Sequence, residues 1–367
     1  MQSSPDIAII GGGIIGLTTA YYLAREGCRV LVLDKGDLGH EASWAGAGII
    51  PACDPATAKT PLDQLRAFSC QQFPSLSQEL LECTGIDNGY RRCGGLEFVD
   101  LGEPGHEDEW QTEASPGVTL TNRELAEIEP GAANDLGRAV HLADMAQVRN
   151  PRHLRAMQGA CQSLGVSLRP QCAVHGLQQD GMRITGLQTP EGVVHAGRFL
   201  IAAGAWSEEL LDSVGWRPGI RPIRGQIVLL KAMALRFQRI LLAGSRYVVP
   251  RGDGYVVVGS TEEDVGFEKR NTAIAVKELL ALACRLAPGL REATMERCWS
   301  GLRPGSPDGL PFLGLVPGWD NLFVAAGHFR SGILLSPGTG LVMKELLLGQ
   351  SPTVALKGFH LDRASAR

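Results

Sequence analysis

Ile7-Ala8-Ile9-Ile10-Gly11-Gly12-Gly13-Ile14-Ile15-Gly16 decides the fold. Four apolar residues in a row read as a strand buried on both faces, as strands of parallel sheets are. The glycines then fall at the spacing of a dinucleotide-binding turn. Gly11 permits the sharp bend, Gly13 lets the backbone approach a pyrophosphate, and Gly16 lets the next helix, opened by Ile14 and Ile15, pack on the strand. The N-terminal dipole of that helix attracts phosphate. Alone the turn is weak evidence, but its surroundings are specific. A helix runs to about Glu26 and stops at Gly27, and residues 29–33 read as a second buried strand. Asp34 closes that strand 18 residues after Gly16, with Lys35 beside it. A carboxylate there accepts hydrogen bonds from ribose hydroxyls and repels the extra phosphate of NADP. The whole is half of a Rossmann fold and makes the chain an α/β protein.

At 367 residues the chain exceeds one average domain, so two compact units are expected. Its 35 basic and 39 acidic residues are dispersed, giving a net charge of −4 with no basic block to neutralise a phosphate backbone. Nucleic acid is therefore not an expected partner. Nine cysteines, without a Cys-x-x-Cys pair, fit neither a disulfide framework nor a zinc cage, and point to reduced thiols in a cytoplasmic protein. The first apolar stretch ends at three glycines, which argues against a secretory signal, and no apolar run is long enough to span a bilayer.

Further along, residues 53–61 read as a mobile connection followed by a helix over 62–83. Residues 89–141 change to short strand pieces, such as 96–101, and acidic loops, such as 102–109. A helix over 149–164 and strands near 166–168, 173–178, 183–189 and 198–202 return to a nucleotide-binding layer. Residues 222–302 read as an antiparallel sheet with one helix over 272–286. A strand over 322–326, a glycine-rich loop over 327–332 and a helix from about Ser336 to Leu348 end the chain.

The opening turn does not separate NAD from FAD, whereas the far end of the chain does. A helix N-terminus facing an isoalloxazine stabilises the negative charge that develops around N1 and C2=O on reduction; a nicotinamide gains nothing from it. Arg303 and Arg330 carry planar forks suited to a carboxylate, and Tyr247 offers a hydroxyl to the same group. Singly, each is more often a salt-bridging or packing residue. His328 reads as a loop hydrogen-bonding residue before a base. Glu262-Glu263-Asp264 lacks partner ligands at metal-binding spacing and reads as a solvated loop, so no metal is expected.

These segments resemble the glycine oxidase branch of the D-amino-acid oxidase family, the ThiO proteins associated with thiamine thiazole biosynthesis. The likeness covers nearly the whole chain. It lies in Ile9-Ile10-Gly11-Gly12-Gly13-Ile14-Ile15-Gly16, in Glu41-Ala42-Ser43 with Ala45-Gly46-Ala47-Gly48, and in Tyr247-Val248-Val249-Pro250-Arg251. It is most specific in Gly301-Leu302-Arg303-Pro304-Gly305 and Gly327-His328-Phe329-Arg330-Ser331-Gly332-Ile333-Leu334. The resemblance implies a discontinuous FAD-binding domain (1–88, 143–220 and 305–367) and an antiparallel substrate domain (89–142 and 221–304). It also implies noncovalent FAD, because no cysteine stands at the loop position used for covalent flavin in related sarcosine oxidases.

By motif match, Gly11, Gly13, Ile14, Ile15, Gly16, Asp34, Lys35, Ala42, Ser43, Ala45, Ala47 and Gly48 would serve the cofactor. Val174, Ala203, Gly204, Trp206, His328, Arg330, Ser331, Gly332 and Ile333 would complete that set. Arg303, Tyr247 and Arg330 would hold a substrate carboxylate. Three departures bear on substrate choice: Ile49 stands where relatives carry methionine, Glu262 where an apolar side chain lines the pocket, and Ser331 where asparagine follows the arginine. The implied activity is oxidative deamination of glycine, sarcosine or a small D-amino acid with dioxygen as acceptor, in a homo-oligomer. A flavin dehydrogenase passing electrons to a quinone or carrier, and a non-catalytic dinucleotide-binding sensor or scaffold, remain open.

Overall fold

A computed structural model describes residues 4–51, 53–101 and 117–366. The acidic stretch 102–109 lies outside the described residues. Strand Ile7–Ile10 lies parallel between Val30–Leu33 and Arg198–Ile201. Ser167–Arg169 extends the sheet on one side and Leu322–Ala326 on the other, both parallel, and Phe312–Leu315 closes that edge antiparallel. Alternate side chains of these strands feed two separate cores, which is why the strands read as continuous apolar runs. Ile7, Ile9, Val30, Val32 and Leu200 pack against helices Ile14–Arg25, Pro61–Thr84, Asn150–Ser163 and Gly332–Leu347. Ala8, Ile10, Leu31, Leu33, Phe199 and Ile201 pack on the other side, against the small sheet that contains Arg183–Thr189 and helix Ser207–Asp212.

Among the described residues, the second large sheet has eight strands. Arg221–Lys231, Tyr255–Gly259, Arg246–Pro250 and Ile240–Ala243 pair antiparallel in succession, and Thr294–Gly305 flanks Arg221–Lys231. The antiparallel expectation fails at one seam, where Ile240–Ala243 pairs parallel with Gly95–Phe98. There the sheet joins strands far apart in sequence, so no hairpin turn fixes their direction. The predicted strand over 96–101 occupies Gly95–Phe98 and then coils into a short 3₁₀ turn, Val99–Leu101.

One face of this sheet, with Val228, Val248, Val256 and Val258, packs on Leu279, Ala283 and Leu286 of helix Ala273–Leu286. The opposite face presents Ile227, Tyr247, Val249 and Val257, with Ala47 and Ile49 of the first layer packed against them. The period-2 text of residues 246–250 therefore assigns Tyr247 to the face away from the helix.

The last helix departs most from expectation. It begins at Gly332, not Ser336, and carries Pro337 in its first turns. Pro337, the sixth residue of the helix, has no N–H to offer the Ile333 carbonyl, and Ser336 Oγ donates to that carbonyl at 2.9 Å instead. The consequence is positional: the helix start moves next to Arg330.

Candidate active site and cofactor cavity

A cavity of about 840 Å³ lies at the carboxyl ends of the parallel strands and reaches across to the exposed face of the eight-stranded sheet. This is where ligands bind in open α/β sheets. Every residue singled out for cofactor or substrate lines it except Gly16. Gly16 acts in packing instead: a Cβ there would sit 2.0 Å from the Gly11 carbonyl oxygen and 3.2 Å from Ile9 Cγ2.

At the dinucleotide end the turn is built from backbone. Gly11 has φ +114°, and a Cβ would fall 2.3 Å from the Ala202 carbonyl oxygen at the end of the neighbouring strand. Gly13 is different, since its added Cβ would meet only Ser43 Oγ, at 3.3 Å. Its open side faces the cavity. The Ile14 amide, the first of the helix, donates to Ser43 Oγ at 3.0 Å. Asp34 is already engaged, accepting from the Gly12 amide at 2.7 Å and the Gly36 amide at 2.8 Å. Burial raises its pKa above the ordinary carboxylate value, and those two amides oppose the shift. An acid read from sequence as a ribose ligand thus also ties the turn to the strand that follows it. Lys35 Nζ lies 3.3 Å from the centre of the Trp206 ring, and Phe267 stacks near the same ring at 5.3 Å. Val174 sits in extended chain just before strand Gly176–Asp180, not on it, and packs in the second core.

Segment 42–48 forms the floor between the two ends. The sequence reading gave no role to the side chains that hold it. Asn150 Nδ2 donates to the Ser43 carbonyl at 2.8 Å, and Trp299 Nε1 donates to the Ala45 carbonyl at 3.0 Å. Arg251, fully buried, donates to the Ala47 carbonyl at 2.7 Å, to the Val148 carbonyl at 3.1 Å and to Gln147 Oε1 at 2.5 Å. Burial lowers its pKa to about 10, helped by Arg149 and Arg91 nearby. Gly301 lets strand Thr294–Gly305 press against the floor, for a Cβ there would lie 2.5 Å from Ala45 Cβ. A buried arginine in the quoted Tyr247 to Arg251 stretch was the one legible hint. Asn150, hidden at a helix start, gave none.

The other end of the cavity is made of side chains. Arg303 Nη1 donates to the Thr261 carbonyl at 3.0 Å and Nη2 to Ser260 Oγ at 2.5 Å. The guanidinium lies over Gly225, where a Cβ would approach within 2.3 Å of it. Arg330 Nη2 donates to the Ser245 carbonyl at 2.9 Å. Its turn is unusual, because Phe329 holds φ +46°, a left-handed conformation that side chains rarely adopt and that favours sites under functional constraint. Tyr247 is buried, and its ring lies against Gly259. Ile49 is half-buried in the two-residue strand Ile49–Ile50. Glu262 is exposed on the cavity wall, whereas Glu263 is not the solvated residue expected: it pairs with buried Arg224 at 2.5 Å. Among the described residues no cluster could hold a metal ion.

His328 is buried and its Nε2 lies 3.2 Å from Thr339 Oγ1. Burial lowers its pKa to about 3, so the ring is neutral and is poor material for a base that must charge. Beside it, Ser331, Gly332 and Ile333 bring the start of the sixteen-residue helix Gly332–Leu347 to the cavity. The positive dipole end of that helix thus lies at the cavity wall.

These residues fit FAD. The Gly11 and Gly13 cradle is one that a side chain at either position would crowd or fill, and Asn150 Oδ1 is a buried acceptor without a partner at the cavity wall, suited to a ligand that brings a donor. Comparison with known proteins agrees. The FAD dependent oxidoreductase family, which includes the D-amino-acid oxidases, matches residues 6–346. The glycine oxidase of Pseudomonas putida is 37% identical over 96% of both chains. The bifunctional protein ThiO/ThiG of Trichormus variabilis is 34% identical over 98% of this chain and 55% of its own length. The crystal structure of glycine oxidase from Geobacillus kaustophilus superposes with a TM-score of 0.91 at 34% identity, covering 98% of this chain and 99% of that one. With the family matched almost end to end, and a cavity that joins a dinucleotide turn to a pair of arginines, this chain belongs to the FAD-dependent oxidoreductases.

Proposed function

We propose that this FAD enzyme oxidises the Cα–N bond of a small amino acid, glycine or sarcosine among them, and passes the electrons to dioxygen. One observation carries the reading: Arg303, Arg330 and Tyr247, from three distant segments, line one end of a cavity whose other end is the Gly11–Gly13 turn. Planar forks and a phenol suit a carboxylate, and the similar glycine oxidases support an amino acid. FAD bound there would supply the two-electron acceptor for the hydride leaving Cα, with dioxygen as the final acceptor, reduced to hydrogen peroxide.

The chain's own groups do the rest. Arg303, anchored by Ser260 and Thr261, fixes the carboxylate and with it the direction of the Cα–H bond. Orientation of this kind substitutes for a general acid or base. The neutral His328 buttresses the helix start through Thr339, and the helix dipole favours negative charge at the cavity. The substrate amine reacts in its neutral form, and the imino acid formed is hydrolysed to a 2-oxo acid and ammonia, or methylamine when the substrate is sarcosine; glycine and sarcosine both give glyoxylate. Residues 1–88, 143–220 and 305–367 form the FAD-binding unit in this reading, with 89–142 and 221–304 the substrate unit; the six-stranded and eight-stranded sheets support that division. Likeness to the ThiO half of a fused protein supports a place in thiazole synthesis, and the nine free thiols support a reducing compartment such as the cytoplasm.

The test is anaerobic mixing of the yellow protein with glycine, sarcosine and a panel of D-amino acids. Glycine or sarcosine should bleach the flavin, and air should restore the colour with peroxide formed. If no amino acid bleaches it, the reading fails; bleaching that air cannot reverse moves the acceptor to a quinone or carrier.

A further inference from the structure

Residues 260–263 run antiparallel to the start of strand Arg221–Lys231, with Arg224 and Glu263 exchanging both backbone hydrogen bonds, at 2.9 and 3.0 Å. That pairing fixes the pleat. Side chains alternate along extended chain, so 261 and 263 share one face and 260 and 262 the other. The first face is consumed by the sheet. Thr261 Oγ1 accepts from the Gln226 amide at 2.9 Å and donates to Glu263 Oε1 at 2.5 Å, and Glu263 also accepts from Gln226 Nε2 at 2.7 Å. Arg224, buried, is shared between Glu263 at 2.5 Å and Glu268 at 3.2 Å.

The second face belongs to the cavity. Ser260 Oγ meets the Arg303 guanidinium, and Glu262, two residues on, lines the same wall, exposed, with no hydrogen bond or ion pair to another described residue. The register thus delivers a free carboxylate beside the place where Arg303 is anchored. Two residues of extended chain span roughly 7 Å. A substrate held at Arg303 by its α-carboxylate reaches Glu262 only through a side chain several atoms long.

We infer that Glu262 selects, among the amino acids this site oxidises, those whose side chain ends in an ammonium or guanidinium, over neutral isosteres and against acidic ones. The inference rests on the carboxylate-holding role proposed for Arg303. Because Glu262 is exposed, water screens the pair and the preference is modest, roughly 5-fold.

Racemic lysine, its neutral isostere racemic norleucine, and racemic 2-aminoadipate test it, with the rate of anaerobic bleaching per concentration of each as the measure. This reading is independent of the electron acceptor. The FAD-loaded protein should favour lysine over norleucine about 5-fold, Glu262→Gln should bring the ratio to about one, and Glu262→Lys should invert it and favour 2-aminoadipate. Each ratio is taken within one protein, so a variant that loads less flavin still reports. A ratio near one in the unsubstituted protein, a ratio kept in Glu262→Gln, or failure of lysine to bleach where glycine does, overturns the inference and leaves the amino acid oxidase reading intact. Failure of every amino acid sinks both.

Discussion

The two ends of the cavity are built on opposite principles. The dinucleotide end comes from one short stretch, and its working parts are backbone: φ +114° at Gly11, the Ile14 amide on Ser43 and the Gly12 amide on Asp34. The arginine end draws Tyr247, Ser260, Arg303 and Arg330 from separate strands and turns, and its lining is made of side chains. Backbone sites tolerate no added atoms; side-chain sites tolerate exchange at a graded loss. The Arg251 and Asn150 contacts to segment 42–48 hold the stretch of chain between them.

Glycine substitutions strike the first end hardest and also divide it. Gly16→Val places atoms 2.0 Å from a carbonyl oxygen that cannot move without shifting the strand, so it should destabilise the fold by on the order of 3–5 kcal/mol or prevent folding. Gly13→Val meets only a hydroxyl, so the protein should fold yet emerge colourless. Thermal unfolding together with flavin absorbance separates the two, and a yellow Gly13→Val protein would remove Gly13 from the pyrophosphate path.

At the second end the losses should be smaller and confined to substrate. Arg303→Lys keeps the charge and loses the fork, forgoing about 1.5–3 kcal/mol, or roughly 10- to 100-fold in kcat/KM, with FAD still bound. Unaltered kinetics would take Arg303 out of the site.

Per pH unit, the smallest effect concerns His328, buried beside the start of the last helix. His328 has a folded pKa of about 3 against an unfolded value of 6.5. Above pH 6.5 both states are neutral and pH changes nothing. As pH falls from 6.5 toward 3, the unfolded chain takes a proton that the folded one refuses, and stability declines by up to about 1.4 kcal/mol per pH unit. His153, buried with a pKa of about 4, acts in the same direction. The slope of stability against pH in this window should therefore be shallower in His328→Gln; an identical slope would mean that the ring is not held neutral.

Much of the first end was legible because its physics is local. The strand at 7–10, the helix after it and the carboxylate at 34 each follow from neighbours within one βαβ half, and burial on both faces writes an unmistakable apolar run. The last helix was placed from Ser336, four residues late, because its true start at Gly332 carries no side-chain cap to mark it. The parallel seam between Gly95–Phe98 and Ile240–Ala243 was illegible, since pairing direction across a long separation leaves no trace in either strand.

By itself, then, the sequence determined a dinucleotide-binding α/β half and two arginines worth pairing. Only the tertiary structure decided that Gly16 packs while Gly13 opens on the cavity, that Asp34 is already tied to two amides, and that Glu262 lines the cavity while Glu263 is spent on Arg224. Composition and spacing record what a residue can do. Which neighbour takes up its hydrogen bonds, and so what remains for a ligand, depends on strand register and on contacts between segments as far apart as residues 47 and 251, and these exist only in the folded chain.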